Sequence, residues 1–464
     1  GILGIVGDID ILKFNKCLDN IKSRGPDSTR IEIRDGVSVG INRLRVNGSQ
    51  VSAEQPFTND TIMTVCNGEI FNHQELENKY GYVPRSGSDC EVLLPHLEYG
   101  GTPEEICNSL DAEFSLFSYN SKTKKVLVAR DPYGVRPLFW GRTRKGYWAF
   151  ASELKAIHEI CDHVEQFKPG WYMELDCSTP DITFFYSRYK KEIIIQKCQN
   201  VFHNISNILE KAVKKRLMCE NGGVCCLLSG GLDSSLVAAL ANKHTDKPIH
   251  TFSIGMRGSP DNKWALEASK WIGSAHHIVC PTQEEFCEAI PEVIKAIESY
   301  DVTTVRASVG NYLVAKYIRE NTDFKVVLNG DYSDEVTGGY LYMKLAPDYQ
   351  EFRRECMRLV DNIHFFDSLR SDRTVCAHGL EARTPFADKE FVEYYLSVDP
   401  EITSPRGEME KFGLREAFRD SGLLPREVLN RRKEAFSDGV SAEDNSWHKI
   451  VHEYVIKLGY KSEE

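Results

Sequence analysis

The chain has 464 residues, more than one compact core usually holds, so its length predicts two to four domains. A composition of 41% hydrophobic, 27% charged and 10% aromatic residues excludes a largely disordered or fibrous protein. The formal net charge of -11, without a dense run of lysine and arginine, argues against a nucleic-acid partner. The longest apolar run, residues 236–241, is too short to cross a bilayer, so no membrane partner is expected.

The cysteines and histidines show no metal-binding or disulfide pattern. Fourteen cysteines are scattered along the chain without a CxxC pair. This distribution predicts reduced, mostly buried thiols and a cytoplasmic location. The thirteen histidines form no HExxH or related set, so no zinc site is expected.

The first part of the chain, residues 1–187, alternates short β-type runs with turn residues. Helical patterns at 73–78 and 89–98 interrupt these runs. Such an order of elements predicts a layered α+β domain. The β-type runs are 2–6, 38–41, 62–66, 114–119, 126–129 and 147–151.

The second part, residues 200–464, follows a different pattern, and the charged stretch 187–199 separates the two domains. Apolar residues from 205 to 217 recur at the three-and-four spacing of an amphipathic helix. Apolar runs at 224–228, 249–256 and 325–328 then each stop at a loop containing glycine or serine. Because helical stretches lie between these runs, the pattern predicts an α/β domain with a parallel sheet and added helices beyond residue 345.

The sharpest local signal is the string Ser229-Gly230-Gly231-Leu232-Asp233-Ser234-Ser235, directly after the run 224–228. Glycines allow a tight turn with converging N–H groups, serine hydroxyls add donors, and the following helix start adds partial positive charge. The loop therefore predicts a cradle for a phosphate chain, with Asp233 placed to bind Mg²⁺. Because the GK[ST] ending of the NTPase P-loop is missing, pyrophosphate release is favoured over γ-phosphoryl transfer.

Two further loops are expected at the same edge of the sheet. Ile254 and Gly255 follow the neighbouring run and offer a resting place for an adenine ring. The loop after the third run carries the carboxylates of Asp331, Asp334 and Glu335. Such a cluster is costly unless a metal or another cation shares it, so we expect a cation there.

These strings occur together with several others along the chain. The full set is Arg24-Gly25-Pro26-Asp27, Asn42-Arg43-Leu44, Asn67-Gly68-Glu69-Ile70-Phe71-Asn72, Ser86-Gly87-Ser88-Asp89, Arg130-Asp131 with Gly134, Pro137-Leu138, Ser229 to Ser235, Ser259-Pro260-Asp261, Tyr300-Asp301-Val302-Thr303-Thr304, Ser333-Asp334-Glu335, and Arg432-Lys433-Glu434-Ala435-Phe436-Ser437-Asp438-Gly439. Because of the order and number of these strings, the chain resembles the glutamine-dependent asparagine synthetases from end to end.

For the first domain, residues 1–187, the resemblance implies an N-terminal-nucleophile (Ntn) glutaminase that feeds ammonia through an internal passage to a synthetase domain. By similarity, Arg43 binds the carboxylate of glutamine, while Glu69 and Asp89 bind its α-amino group. Asn67 and the backbone N–H of Gly68 are expected to form the oxyanion hole.

For the second domain, residues 200–464, the resemblance implies an ATP pyrophosphatase that converts aspartate to a β-aspartyl-adenylate, which ammonia turns into asparagine. The catalytic residues it implies are Asp331 and Lys433, and the Mg²⁺ ligands are Asp233 and Asp334. The implied partners are aspartate, glutamine, ATP and a second copy in a homodimer. The implied ATP-binding residues are Leu228, Ser229, Gly230, Gly231, Asp233, Ser234, Ser235, Ile254, Asn329 and Gly330.

The chain departs from the family pattern at two places. The family nucleophile is an N-terminal cysteine, and Gly1 matches the residue after it, so we expect this cysteine immediately before Gly1; the alternative is a protein without glutaminase chemistry. Where the family has Glu-Gly, this chain has Asp331 and Tyr332. The shorter Asp331 predicts a slower or altered synthetase step, and Tyr332 predicts a backbone that does not need positive φ.

Two other functions stay open at this point. A β-lactam-synthetase-like enzyme would adenylate its substrate and close a ring without ammonia, but the glutamine-pocket residues and the stretch 300–304 speak against it. A catalytically silent protein that binds nucleotide and glutamine would be consistent with Asp331, Tyr332 and the cysteine missing before Gly1. Formation of asparagine from aspartate, ATP and ammonium separates the synthetase from both.

Overall fold

A computed structural model describes residues 1–48, 51–179, 181–407, 409–432, 439–442 and 445–459. The chain divides into two compact units. The first comprises Gly1–Glu192 with Cys219–Asn221, and the second comprises Ile193–Met218 with Gly222–Glu464. None of the helices in the described ranges is long and apolar enough to cross a membrane.

The first unit is built on two six-stranded antiparallel sheets. Apolar side chains from both sheets, among them Val39, Phe117, Phe150 and Met173, form a core between them. The strands are β1 (Ile2–Val6), β2 (Ser28–Arg34), β3 (Val37–Arg43), β4 (Phe57–Thr58), β5 (Ile62–Ile70), β6 (Ala112–Asn120), β7 (Lys125–Arg130), β8 (Phe139–Thr143), β9 (Trp148–Ala151), β10 (Cys161–Gln166), β11 (Trp171–Asp176) and β12 (Thr183–Arg188). Their orders are β10-β8-β9-β1-β3-β2 and β12-β11-β7-β6-β5-β4.

Helices flank these sheets, and the helix after β1 explains the continuous apolar start of the chain. Ile2 and Val6 join the core between the sheets, whereas Leu3 and Ile5 join a second apolar cluster with Phe14 of that helix. Because both faces are buried, β1 has no alternation of polar and apolar residues. The helices are α1 (Ile11–Asp19), α2 (His73–Tyr80), α3 (Leu93–Tyr99) and α4 (Pro103–Ser109), with 3-10 turns at Lys22–Arg24, Val51–Ala53, Asp89–Val92 and Leu154–Ala156.

The second unit is built on one five-stranded parallel sheet with helices around it. Its strands are β13 (Val224–Leu227), β14 (His250–Ile254), β15 (Ala275–Val279), β16 (Val326–Leu328) and β17 (Glu381–Arg383). Its helices are α5 (Val201–Lys215), α6 (Leu232–Lys243), α7 (Pro260–Ile272), α8 (Gln283–Glu288), α9 (Ile290–Ile297), α10 (Val302–Asn321), α11 (Ser333–Thr337), α12 (Tyr349–Asn362), α13 (Asp367–Cys376), α14 (Lys389–Ser397), α15 (Pro400–Thr403), α16 (Phe412–Phe418), α17 (Arg426–Leu429) and α18 (Trp447–Lys457). In its described residues, 3-10 turns lie at Leu341–Leu345, Ile363–Phe365 and Pro385–Ala387.

The strand order of this sheet, β15-β14-β13-β16-β17, locates its functional edge. The chain adds β14 and β15 on one side of β13 and then returns to add β16 and β17 on the other side. The reversal between β13 and β16 is a topological switch point, where open α/β sheets bind ligands beyond the carboxyl ends of their strands. The α+β first domain and the parallel α/β second domain predicted from the sequence are confirmed.

Candidate active sites

The second unit holds a cavity of about 290 Å³ at the carboxyl ends of β13, β14 and β16. The loop after β13 makes a tight turn at Gly230, whose φ is +73°. A Cβ atom on Gly230 would lie 2.3 Å from the backbone carbonyl carbon of Trp264 on α7. Both the left-handed backbone and this close approach therefore require glycine at position 230.

Serine hydroxyls hold the loop after β13 together. The Oγ atoms of Ser229 and Ser234 are 3.0 Å apart, and the N–H of Ser229 donates to Ser234 Oγ at 3.2 Å. Ser235 Oγ is buried and has no hydrogen-bond partner in the described part of the chain. Of the predicted residues of this loop, Ser229, Gly231, Asp233 and Ser234 line the cavity, whereas Gly230 and Ser235 do not.

The other predicted nucleotide residues also reach the cavity. Leu228 and Ile254 line it from the ends of neighbouring strands, and Asn329 and Gly330 line it from the loop after β16. A Cβ atom on Gly330 would lie 2.7 Å from the backbone nitrogen of Ser234. The two loops therefore touch at Gly330, which brings together segments that are far apart in the sequence.

The acidic loop after β16 places its carboxylates in different environments. Asp331 Oδ1 accepts a hydrogen bond from Arg370 Nη2 at 2.8 Å. Glu335 is fully buried and accepts a hydrogen bond from the hydroxyl of Tyr340. Burial, together with nearby carboxylates, raises the pKa of Glu335 well above its usual range. A guanidinium thus balances one of these charges, and burial disfavours the other.

The third carboxylate, of Asp334, shares a lysine with Asp233 of the other loop. Lys411 Nζ lies 2.6 Å from Asp233 Oδ2 and 2.6 Å from Asp334 Oδ1. The Lys411 side chain is 2% exposed. A Cβ atom on Gly339 would lie 1.9 Å from Asp334 Oδ1 and 2.2 Å from Lys411 Cε, so glycine leaves the room for this contact. The cation that the acidic loop was expected to need is, in this structure, the ammonium group of Lys411.

The two predicted magnesium ligands, Asp233 and Asp334, converge on one point. Carboxylate oxygens are ligands that Mg²⁺ prefers, so this donor set fits the metal. Across the described ranges, no three histidine, cysteine, aspartate or glutamate side chains converge as a metal site. Two carboxylates therefore suit a metal whose remaining ligands come from nucleotide phosphates and water.

The backbone at Tyr332 differs from the expectation drawn from the sequence. Its φ is +73°, in the left-handed region that favours glycine, so the expected backbone without positive φ is wrong. The ring is 1% exposed, and its hydroxyl forms a hydrogen bond with Ser368 Oγ on α13. Burial of the ring and this hydrogen bond offset the backbone strain.

Lys433, the predicted catalytic lysine, lies in the segment 433–438, which is outside the described residues. Residues on both sides of this segment contact the start of α7. Arg431 Nη2 lies 3.0 Å from Asp261 Oδ1, and Ser259 Oγ donates to the carbonyl oxygen of Gly439 at 2.6 Å.

The predicted glutamine-binding arginine, Arg43, ends strand β3 in the first unit. Its Nη2 donates to the carbonyl oxygens of Asn47 at 2.7 Å and Gly48 at 2.8 Å. Its Nη1 lies 3.2 Å from Glu54 Oε1, and the side chain is 6% exposed. The guanidinium is therefore held in a fixed orientation.

Glu54, which sequence patterns did not indicate, organises the surroundings of Arg43. Its carboxylate also accepts hydrogen bonds from Ser28 Oγ and, at 2.7 Å, from Arg45 Nε. Burial alone would raise the pKa of Glu54, but the hydrogen bonds from Ser28 and Arg45 and the charge of Arg43 lower it below its usual range. Glu54 is thus held as a carboxylate beside the predicted glutamine site.

The predicted oxyanion-hole residues, Asn67 and Gly68, lie near the end of β5. A Cβ atom on Gly68 would lie 1.9 Å from the carbonyl oxygen of Glu113 on β6, so the strand pairing requires glycine. Asn67 Nδ2 is buried and, among the residues the structure describes, has no hydrogen-bond partner. A buried donor without a partner costs about 1–3 kcal/mol, which favours a role in binding an oxyanion.

The two predicted acidic residues of the glutamine site are both buried. Glu69 Oε2 accepts from Asn47 Nδ2 at 2.8 Å, and Asn47 also binds Arg43 through its carbonyl oxygen. Asp89 Oδ2 accepts from the backbone N–H of Ile70 at 2.7 Å. Asn47 thus links Arg43 to Glu69, and both of these residues are predicted to bind glutamine.

Two family models match the chain and together span both parts. Asparagine synthase matches residues 204–350 and 344–463, and the glutamine amidotransferase domain matches residues 1–192. The asparagine synthetase [glutamine-hydrolyzing] of Cricetulus griseus is 40% identical, covering 98% of this chain and 87% of the relative, and the Homo sapiens protein gives the same three figures. The probable asparagine synthetase [glutamine-hydrolyzing] of Acanthamoeba polyphaga mimivirus is 39% identical, over 97% and 86%. The chain therefore belongs to the family of glutamine-hydrolysing asparagine synthetases.

Proposed function

We propose that this protein amidates aspartate to asparagine with ATP, using glutamine or free ammonia as the nitrogen donor. The reaction passes through a β-aspartyl-adenylate and releases AMP and pyrophosphate. The observation that carries the proposal is the cavity at the switch point of the parallel sheet, where Ser229 and Ser234 face Asn329 and Gly330 in a member of this family.

The cavity supports ATP as a substrate through its two kinds of wall. Leu228 and Ile254 supply an apolar surface for the adenine ring. Ser229 and Ser234 supply hydroxyls, and the start of α6 at Gly231 supplies backbone N–H groups for the phosphate chain. ATP bound in this way would present its α-phosphorus to the incoming carboxylate of aspartate.

The charged residues of the cavity support the adenylation step. Asp233 and Asp334 would hold Mg²⁺, which would neutralise charge on the departing pyrophosphate. Asp331, oriented by Arg370, is proposed to act in adenylate formation. Lys433 is proposed to stabilise charge on the phosphates as the bond to the α-phosphorus breaks.

For the glutaminase half, we propose a cysteine immediately before Gly1 as the nucleophile. Arg43 would bind the carboxylate of glutamine, and Glu69 with Asp89 its α-amino group. Asn67 Nδ2, which is buried and has no hydrogen-bond partner among the described residues, supports an oxyanion hole with the N–H of Gly68.

Incubation of the full chain with aspartate, ATP, Mg²⁺ and ammonium tests the synthetase half directly. We expect aspartate-dependent pyrophosphate release and equal amounts of AMP and asparagine. Adenylation without asparagine would favour a β-lactam-synthetase-like enzyme, and no pyrophosphate release would favour a silent binding protein. Glutamine in place of ammonium, with the intact mass of the N-terminal peptide, tests the glutaminase half.

We also propose a cytoplasmic homodimer that binds neither nucleic acid nor membrane. All fourteen cysteines are free thiols, which supports a reducing compartment. Sedimentation equilibrium should give about twice the chain mass of 52.7 kDa, and a monomer mass would contradict the homodimer.

A further inference from the structure

Lys411 occupies the point on which the two carboxylates of the nucleotide site converge. We propose that Lys411 is a built-in cation that stands in for Mg²⁺ while no nucleotide is bound, and that it leaves this point when the metal arrives with ATP. This inference rests on the proposed function, because the metal–nucleotide complex is the ligand that displaces the ammonium group.

The ammonium group of Lys411 is surrounded by oxygen atoms at this point. Lys411 Nζ donates hydrogen bonds to Asp233 Oδ2 at 2.6 Å and Ser333 Oγ at 3.3 Å, and it forms an ion pair with Asp334 Oδ1 at 2.6 Å. Ser333 Oγ in turn donates to Asp233 Oδ1 at 2.7 Å. One cation therefore ties the loop after β13 to the loop after β16.

The surrounding backbone is shaped for this lysine. Lys411 has a φ of +55°, which is uncommon for a residue with a side chain, at the start of α16. The Lys411 side chain passes so close to Gly339 that a Cβ atom at position 339 would lie 2.2 Å from Lys411 Cε. A strained backbone and a close approach at the same contact indicate that the position of the ammonium group is specifically held.

Lys411 and a divalent metal exclude each other at this point. Two cations within about 4 Å repel strongly in a partly buried site, and both need the same carboxylate oxygens. When ATP binds, its phosphates offer the ammonium group other oxygens nearby, so Lys411 can leave the carboxylates without losing all its partners. The metal should therefore bind well with nucleotide and poorly alone.

A titration of the full-length protein with Mn²⁺, without nucleotide or aspartate, tests this exclusion. Free Mn²⁺ is followed by its electron paramagnetic resonance signal. We expect Lys411→Gln to tighten Mn²⁺ binding by about tenfold or more, because a like charge leaves the site. The control Lys215→Gln removes an equally close lysine contact, 2.5 Å from buried Asp388, and should not change Mn²⁺ affinity. Equal affinities of Lys411→Gln and the unchanged protein would overturn the proposal.

A crystal structure of the unchanged protein with Mn²⁺ and a non-hydrolysable ATP analogue provides a test that does not depend on folding of a variant. We expect the anomalous Mn²⁺ peak between Asp233 and Asp334, with Lys411 Nζ on the phosphates. Nucleotide bound with Lys411 still between the carboxylates would refute this inference alone. No nucleotide in the cavity would refute the proposed function as well.

Discussion

Asp331 and Arg370 form an ion pair at the wall of the cavity, with 2.8 Å between Asp331 Oδ1 and Arg370 Nη2. The same guanidinium nitrogen lies 3.1 Å from Asp367 Oδ2, so two carboxylates fix its position. Asp331 Oδ2 is buried and has no hydrogen-bond partner within the described ranges. Asp331 lines the cavity, so the length of its side chain decides how far its carboxylate reaches toward a reactant.

Replacing Asp331 with glutamate should speed adenylate formation, because the added methylene restores the family residue and its reach. We expect an increase of up to about tenfold in aspartate-dependent exchange of pyrophosphate into ATP, equivalent to roughly 1.4 kcal/mol in the barrier. Asp331→Asn, which keeps the length but removes the charge, should slow the exchange. Unchanged or slower exchange in Asp331→Glu would contradict the prediction that the shorter side chain of Asp331 slows adenylate formation.

Replacing Tyr332 with glycine should destabilise the protein even though glycine relieves the positive φ. Loss of a buried aromatic ring costs about 3–5 kcal/mol, whereas the relieved strain is worth about 1–3 kcal/mol. We therefore expect a net loss of about 2 kcal/mol in the free energy of unfolding, measured with urea. Tyr332→Phe, which keeps the ring and removes the hydroxyl that bonds Ser368, should lose about 1 kcal/mol. A glycine variant as stable as the unchanged protein would show that the relief of backbone strain fully offsets the loss of ring burial.

Replacing Asn67 with alanine should separate the two activities. Loss of one oxyanion donor typically lowers a rate by about 100- to 1,000-fold, so glutamine-dependent asparagine formation should fall by that factor. Ammonia-dependent formation should stay unchanged, because Asn67 lies in the first unit. Parallel assays with glutamine and with ammonium on one preparation provide the measurement. Equal losses in both assays would argue for a structural role.

The carboxylate of Glu54 should make stability depend on pH. Its pKa in the folded state lies below the usual 4.5, so its contribution is fully present above about pH 4.5 and is lost as the pH falls through the folded-state pKa. Glu54→Gln should therefore reduce the free energy of unfolding by about 1–3 kcal/mol at pH 7, and by less below pH 4.5. Glu159→Gln, which breaks an exposed contact with Lys16, should change stability little. If Glu54→Gln lowered the free energy of unfolding equally at every pH, the negative charge of Glu54 would not be the cause of its stabilising effect.

Features carried by short strings were predictable from the sequence. The glycines and serines after β13 specify a strand-to-helix turn locally, and the alternation of apolar runs with helices specifies a parallel sheet. Asn67, whose Nδ2 has no hydrogen-bond partner in the described part of the chain, likewise lies in a string that indicated it. The sequence signal of each feature lies in a short segment, even where the feature itself joins several segments.

Features that depend on distant segments were not predictable from the sequence. Lys411 reaches Asp233 across 178 residues, and Arg370 reaches Asp331 across 39. Neither cation lies in a string with a chemical signature. Glu54 was missed for the same reason. The positive φ of Tyr332 was missed because burial of a side chain can outweigh the preference of a single residue's backbone.

The pairing of β13 with β16 has a consequence for how this protein reaches its working state. Cys225 on β13 contacts Val326 on β16, 101 residues later in the chain. Contacts between such remote segments form slowly, because a long loop must close first. A nascent chain therefore completes the loop after β13 well before the loop after β16 can pack beside it. Maturation of the nucleotide site should therefore lag behind collapse of the domain.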